Sequence, residues 1–384
     1  MESLATPRRA GSSQRVLPRH ARAHNLTLLL RTLFHGGAMS RADLARETGL
    51  TRVTTSDLVA HLLERELVVE KGVRAPSGPG KPAVLVDLDR HGIQVVALDL
   101  AGAEENVGAL MDLTGAVLDR RIRTRATVGS GDDAVDEVVD LARSLVDVAD
   151  GRVLGVGVGS PGIISEDGQV LEAPNFGWEA VPLRDRLEDA LGVPTVVGND
   201  ANAAALAEHT FGQAEPDMFL VRVGRGVGGA LLVRGELVVG SAQAAGEIGH
   251  VQVGEGDGPE CACGKTGCLE AWLSVPQLTR MLEEADASHP GGDRAHEQVL
   301  REAGGRLALV LAPIVGALNL SDVVIAAPHE LFGGTLLDAA LEKLRSHTLS
   351  RFHTHVRLRV PLQSDDLVLQ GGLVMVLSAE LGVS

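Results

Sequence analysis

The segment "IQVVALDLAGAEENVGALMDLTGAVLDRRIRT", Ile93–Thr124, decides the fold of most of this 384-residue chain. Its apolar residues form three short runs separated by turns, which is the pattern of three strands joined by hairpins. A helix is predicted over 132–149, and the apolar strand "VLGVGVGSPG" follows it at 153–162. After a further helix, strand and helix, a second hairpin "MFLVRVGRGVGGALLV" stands at 218–233. The repeat predicts two α/β lobes that face a cleft.

The N-terminal part of the chain is basic, whereas the remainder is acidic. Residues 1–82 contain 13 Lys and Arg against 7 Asp and Glu, although the whole chain carries a net charge of −16. A basic head on an acidic body predicts that the head binds nucleic acid. We expect a disordered basic tail at 1–19, a DNA-binding domain at 20–88 and a two-lobed domain at 89–384.

The basic head has the pattern of a winged helix-turn-helix. An amphipathic helix over 20–36 precedes a helix capped by Ser40 and ended by Gly49, and Thr51 then caps the helix that would enter the major groove. Two predicted strands follow, joined by a Gly- and Pro-rich wing. A small three-helix unit of purely structural role shows the same periodicity and is the alternative. The expected DNA contacts are short hydroxyl and basic side chains: Thr51, Arg52, Thr54, Thr55, Ser56, Arg74 and Lys81.

All three cysteines of the chain, Cys261, Cys263 and Cys268, lie within eight positions, and His250 stands just upstream. Three thiolates and one imidazole fill the four positions of tetrahedral Zn²⁺, so the ion would be structural, with no open position for catalysis. Free or redox-active thiols are the alternative. The expected zinc loop spans 247–270 and begins and ends with a glutamate.

Cysteine usage and hydropathy indicate the compartment. So few cysteines do not form a disulfide framework, which argues against secretion. The sequence has neither an apolar run long enough to cross a bilayer nor a signal core. We therefore expect a cytoplasmic protein without a membrane partner.

Five motifs, "SPGII", "APNFGW", "GNDANAAALAE", "GEIGH" and "CACGKTGCLE", stand in the order found in the ROK family of repressors and sugar kinases, which the chain resembles from about residue 20 onward. The resemblance implies an actin-like, hexokinase-like two-lobed ROK domain, the winged helix-turn-helix of the repressor branch and a structural zinc. It also implies a sugar pocket in which the residue matching Asp200 is the base that activates the attacking hydroxyl. Carboxylate, amide and imidazole groups are suited to pair with sugar hydroxyls. The expected sugar ligands are Asn175, Asn199, Asp200, Glu247, His250 and Glu270.

Three departures from the family's kinases argue against phosphoryl transfer. Those kinases carry Asp-x-Gly-Gly-Thr-Lys where this chain reads "DLAGAEE" (Asp99–Glu105), with two carboxylates where phosphate would approach. The second phosphate turn, Gly-Thr-Gly in the kinases, is Gly224-Arg225-Gly226, and the adenosine stretch Gly-Gly is Ala326-Ala327. We therefore expect no catalytic residues, with Asp200 a vestigial base. An ATP-dependent hexose kinase that has kept its helix-turn-helix is the alternative.

The combined pattern predicts a sugar-responsive transcriptional regulator, most simply a repressor. It would bind operator DNA as a homodimer or homotetramer, and cleft closure on the sugar would shift its DNA affinity. An activator or dual regulator of the same architecture is a further alternative, and the identity of the sugar stays open. Arg225 is placed to pair with a phosphate, so a sugar phosphate is an alternative effector.

Overall fold

The computed structural model describes residues 18–73, 83–102, 104–124, 132–174, 177–254, 258–288, 293–348, 355–361 and 365–383. The described chain divides into two compact units. The first comprises the residues up to Asp89 together with Leu381–Val383, and the second comprises Arg90–Glu380. Of the expected tail at 1–19, residues 1–17 lie outside the described residues, whereas Pro18 and Arg19 already belong to the first helix.

The first unit contains three helices and a three-stranded antiparallel sheet of order β1-β3-β2, which is the arrangement of a winged helix-turn-helix. Its elements are α1 (Pro18–Gly36), β1 (Met39–Ser40), α2 (Arg41–Thr48), α3 (Arg52–Glu64), β2 (Val68–Val73) and β3 (Val84–Leu88). The wing between β2 and β3, with Arg74 and Lys81, lies outside the described residues.

Local capping sets the turn between α2 and α3. The Ser40 hydroxyl accepts a hydrogen bond from the backbone N–H of Asp43 (3.2 Å), and the Asp43 carboxylate completes a capping box. Gly49 ends α2 in the left-handed region at φ +70°, where a glycine is favoured. The Thr51 hydroxyl then caps α3 by accepting from Thr54 N–H (3.2 Å). The sequence predicted these caps and this turn.

The first lobe of the second unit is a five-stranded sheet of order β11-β7-β4-β5-β6. β4 pairs antiparallel with β5 and parallel with β7, and β7 pairs parallel with β11. The helices α4 and α5 pack on one face. Its elements are β4 (Ile93–Asp99), β5 (Glu105–Asp112), β6 (Val117–Thr124), α4 (Asp132–Val146), β7 (Arg152–Ser160), β8 (Ile163–Ile164), β9 (Val170–Ala173), β10 (Trp178–Val181), α5 (Leu183–Leu191), β11 (Thr195–Asn199) and α6 (Asp200–Phe211).

The second lobe repeats this strand order as β16-β15-β12-β13-β14. β12 pairs antiparallel with β13 and parallel with β15, so the predicted repetition of the hairpin in a second lobe is confirmed. Its elements are β12 (Met218–Val223), β13 (Val227–Val233), β14 (Glu236–Val238), α7 (Glu270–Leu273), α8 (Val275–Ser288), α9 (Asp293–Leu318), β15 (Asp322–Ala326), α10 (His329–Phe332), α11 (Thr335–His347), β16 (Arg357–Arg359) and α12 (Leu367–Leu381).

Two helices, α6 and α12, connect the lobes. The alanines of α6 form one core cluster with β12, β13, β15 and α12, while Leu369 of α12 packs on β4 and β5. The helix backbones touch, because a Cβ on Gly371 would lie 2.1 Å from the carbonyl oxygen of Ala203. This close packing fixes α6, whose first residue is Asp200.

None of the helices in the described part of the chain is long and apolar enough to cross a membrane. The longest, α9, contains Pro313 in its interior.

Candidate functional site

A cavity, here called the cleft, is lined by residues of both lobes of the second unit. It brings together five of the six predicted sugar ligands, and the neighbour of the sixth, Pro174, also lines it. Asn175 itself lies outside the described residues. The five that converge are Asn199, Asp200, Glu247, His250 and Glu270.

Asn199 ends β11 and caps α6. Its amide oxygen accepts from the backbone N–H groups of Ala201 (2.9 Å) and Asn202 (3.1 Å), and its Nδ2 donates to the Gly162 carbonyl (2.9 Å). The fold therefore already uses the amide oxygen and one amide N–H of Asn199. The helix cap places the next residue, Asp200, in the lining of the cleft.

Arg222 joins the cleft to a second carboxylate. Its Nη1 lies 2.9 Å from Asp200 Oδ2, and its Nη2 lies 3.5 Å from Asp99 Oδ2. Burial raises the pKa of Asp200, while the positive charge of Arg222 acts in the opposite direction. Arg222 is not among the predicted site residues, although an arginine within the apolar strand "MFLVRV" is a signal for a paired, buried charge.

The loop that carries Glu247 and His250 is held against β13. Gly246 accepts from the backbone N–H of Gly229 (2.8 Å), and its φ of +100° and a Cβ clash of 1.9 Å with the Gly229 carbonyl oxygen both require glycine. The loop then forms a short 3-10 helix at Ile248–His250. Burial raises the pKa of Glu247, and the neighbouring His250 partly offsets this effect.

His250 and the three cysteines form a compact cluster. Their ligand atoms all lie within 4.8 Å of one another, with His250 Nδ1 3.6 Å from Cys261 Sγ, and Cys263 Sγ 3.8 Å from Cys268 Sγ. Tetrahedral Zn²⁺ with bonds of about 2.1 Å to nitrogen and 2.3 Å to sulfur separates such atoms by about 3.6 and 3.8 Å. The cluster therefore fits a four-coordinate metal ion. His250 thus faces Cys261 Sγ through Nδ1, and the same residue also lines the cleft.

Burial raises the pKa of the Cys261 thiol to about 12, and the positive charge of a bound metal ion would favour the thiolate instead. The Cys261 Sγ also lies 3.6 Å from Glu270 Oε1, which connects the cluster to the cleft.

A second cavity lies beside the cleft. Arg222, Arg225, Gly224, Ala326 and Ala327 line it, and the first two line the cleft as well. Three of these residues, Arg225, Ala326 and Ala327, are positions at which the sequence is expected to differ from the phosphate and adenosine motifs of sugar kinases. Glu104 and Glu105 are exposed.

The start of α3 exposes polar, charged and apolar side chains to solvent. Arg52 and Ser56 are exposed, and the hydroxyls of Thr51 and Thr54 lie 2.9 Å apart. Thr55, one of the expected DNA contacts, is 0% exposed because it lies on the inner side of α3, so its prediction as a DNA contact is wrong. Val53, an apolar residue of the same helix, is by contrast 72% exposed.

Comparison with known proteins identifies the family of the second unit, since the ROK family model matches residues 95–379. The chain belongs to the ROK family. It is 27% identical over 387 residues to a xylose repressor of Caldicellulosiruptor bescii, covering 92% of this chain and 95% of the repressor. It is 30% identical over 320 residues to a glucokinase of Thermotoga maritima, covering 76% of this chain and 99% of the glucokinase.

Solved structures support the fold assignment. A structure described as a ROK family transcriptional regulator, homolog of the E. coli Mlc protein, superposes with a TM-score of 0.82 at 23% identity and covers 94% of this chain and 98% of that chain. The winged helix-turn-helix followed by a two-lobed ROK domain is therefore the fold of this chain.

Proposed function

We propose that this ROK protein is a sugar-responsive transcriptional regulator that binds operator DNA through its first unit and a sugar in its cleft. The observation that carries the proposal is the union, in one chain, of a winged helix-turn-helix with a cleft that gathers five hydrogen-bonding side chains. Relatives that match nearly the whole chain include a xylose repressor. We favour repression over activation on that basis.

In the cleft, the carboxylates of Asp200 and Glu247 accept hydrogen bonds from sugar hydroxyls, and the Nε2 edge of His250 supplies a further polar contact. Each buried hydroxyl of a pyranose needs such a partner. The proposed effector is a neutral monosaccharide, with Asn175 as an additional ligand.

We assign the His250–Cys261–Cys263–Cys268 cluster to a structural Zn²⁺. The ion supplies no catalytic chemistry in this site, because all four of its positions are taken by protein ligands. Its proposed role is to hold the loop that carries Glu247 and Glu270 against β13.

On DNA, α3 is proposed to lie in the major groove with Arg52 and Ser56 toward the bases and with Thr51 and Thr54 toward phosphates. A homodimer would present two such helices to half-sites separated by whole helical turns, and a tetramer would present two pairs.

We propose that the chain does not phosphorylate its sugar. Arg225 and Ala326–Ala327 replace groups that would hold a nucleotide, and they line the second cavity. A coupled assay of ADP release with D-xylose, D-glucose and N-acetyl-D-glucosamine tests this; turnover with any of the three would establish the kinase alternative.

The proposed function is tested by selecting duplexes from a random library with the full chain. Fluorescence anisotropy on the selected duplex should show that Arg52→Ala weakens binding by about 1–3 kcal/mol, roughly 5- to 150-fold. The matched control, Arg143→Ala, removes an exposed arginine of α4 and should bind as the wild type does. Failure to select any preferred sequence, or equal affinity of the two variants, would contradict DNA recognition by α3.

A further inference from the structure

Arg222 stands at the junction of the two cavities. It is the penultimate residue of β12, the first strand of the second lobe, and it lines both the cleft and the second cavity. Its side chain is only 18% exposed. A nucleotide in the second cavity and a sugar in the cleft would therefore both lie beside this guanidinium.

Two carboxylates that line the cavities, those of Asp99 and Asp200, both form ion pairs with Arg222. Asp99 is the last residue of β4. Asp200 is the first residue of α6 and directly follows β11, so both aspartates stand at the ends of strands of the first lobe. Arg222 reaches Asp200 at 2.9 Å and Asp99 at 3.5 Å. The side chains of the two aspartates are 16% and 17% exposed, which excludes most of the solvent from these ion pairs.

Two half-buried carboxylates that converge on one point are ligands of the kind that Mg²⁺ uses when it carries nucleotide phosphates. In this chain the guanidinium occupies the point between them. A divalent cation that entered would find both carboxylates already paired with Arg222. The positive charge of Arg222 would also repel it at short range.

From this arrangement we propose that Arg222 is a built-in cation that takes the place of a divalent metal ion between Asp99 and Asp200. The cleft therefore accepts a neutral sugar without metal ion or nucleotide, and Arg222 is a specificity-determining residue of the site. This inference deepens the proposed sugar receptor and rests on it for the nature of the ligand. Arg222, a residue of the second lobe, also connects the two lobes through its ion pairs with Asp99 and Asp200.

The test is a titration of the full-length protein, with its cysteine cluster loaded with metal, with Mn²⁺ alone. Electron paramagnetic resonance measures the concentration of free Mn²⁺ at each step. Mn²⁺ prefers oxygen ligands and so reports on the carboxylates rather than on the thiolates. We expect Arg222→Met to bind one Mn²⁺ at least tenfold more tightly than wild type does. Adding Asp99→Asn to that variant should abolish the gain.

Arg222→Lys is the matched control, because it keeps the positive charge and should behave as wild type. Equal Mn²⁺ binding by Arg222→Met and wild type, or a gain of the site in Arg222→Lys, would overturn the proposal. If Arg222→Met does not fold, as judged by circular dichroism, wild type and Asp99→Asn still decide. Mn²⁺ binding to wild type that Asp99→Asn removes would overturn the proposal, whereas identical titrations would support it.

The titration contains neither DNA nor sugar. A negative Mn²⁺ result would therefore not contradict the proposed regulatory function. In the same way, an absence of DNA recognition would not change the Mn²⁺ result.

Discussion

The carboxylate of Glu270 accepts a hydrogen bond from the backbone N–H of Val227 at 3.0 Å, while its other oxygen lies 3.6 Å from the sulfur of Cys261. One buried side chain thereby connects the first residue of β13 with the cysteine cluster. Glu270 is 7% exposed, so these contacts form in a poorly solvated environment where they restrict movement. The geometry explains how a metal ion outside the cleft would hold the wall of the cleft in place.

The first prediction concerns that metal. Cys263→Ala removes one ligand at a half-buried position and should release the ion, since three ligands hold Zn²⁺ less tightly than four. Isothermal titration should then show at least a tenfold loss of sugar affinity, and the metal content should fall below one per chain. Thr266→Ala changes an exposed, uncharged residue of the same loop and serves as the control. Full sugar affinity in a metal-free Cys263→Ala protein would refute the supporting role of the ion.

The second prediction concerns pH. Burial raises the pKa of Asp200 above its ordinary value of 3.8. Above its folded pKa the carboxylate is charged and accepts hydroxyl hydrogen bonds, and below it the group is protonated. Sugar affinity should therefore fall as the pH falls, beginning at a higher pH than an ordinary aspartate would cause. Calorimetry on Asp200→Asn should give a weaker but flatter profile, with metal content monitored at each pH. A wild-type profile as flat as that of the variant would count against this role of Asp200.

A third prediction addresses stability. Arg359 donates from Nη1 to Glu208 (2.8 Å) and from Nε and Nη2 to Asp322 (3.0 and 2.9 Å), and the two carboxylates are 4% and 0% exposed. Arg359→Met leaves both charges buried without this partner, which should lower the free energy of unfolding by about 3–5 kcal/mol. Urea unfolding measures the change.

The control for that prediction is Arg301→Ala, which breaks an exposed pair with Glu297 at 2.9 Å. Such a surface pair contributes about 0–1 kcal/mol. Equal losses in the two variants would show that burial of the Arg359 cluster carries no special weight.

The fourth prediction assigns a role to Val53. An apolar side chain that is 72% exposed near the start of α3 is placed to contact the C5 methyl group of thymine in the major groove. Val53→Ala should weaken binding to the selected duplex by about 1–1.5 kcal/mol, roughly 5- to 13-fold. On a duplex with uracil in place of thymine, which lacks that methyl group, wild type and variant should bind equally. The same loss on both duplexes would exclude the methyl contact.

Sequence patterns predicted most of the fold, because strand runs, hairpin turns and helix caps are local signals. The repeated hairpin appeared in the apolar pattern of Ile93–Thr124 and again near Met218, and the metal cluster was visible because three of its ligands lie within eight positions. The end of a strand is also a local signal, and it indicated Asn199 and Asp200 as site residues.

The parts that the sequence did not predict depend on distance and on helix phase. Asp99 and Arg222 are 123 positions apart, and only the packing of the two lobes brings them together. At α3, the cap at Thr51 sets the phase of the helix, which turns Thr55 inward and Val53 outward. Polarity alone suggested the opposite for both residues.

The central claim is that one chain couples a sugar in the cleft to DNA at α3. The most direct measurement is the affinity of the full chain for its selected duplex with and without a saturating sugar, paired with sugar calorimetry with and without that duplex. We expect that the sugar changes the DNA affinity, and that the DNA changes the sugar affinity by the same factor. A sugar that binds in the cleft, with binding lost in Asp200→Asn, but leaves the DNA affinity unchanged would contradict it.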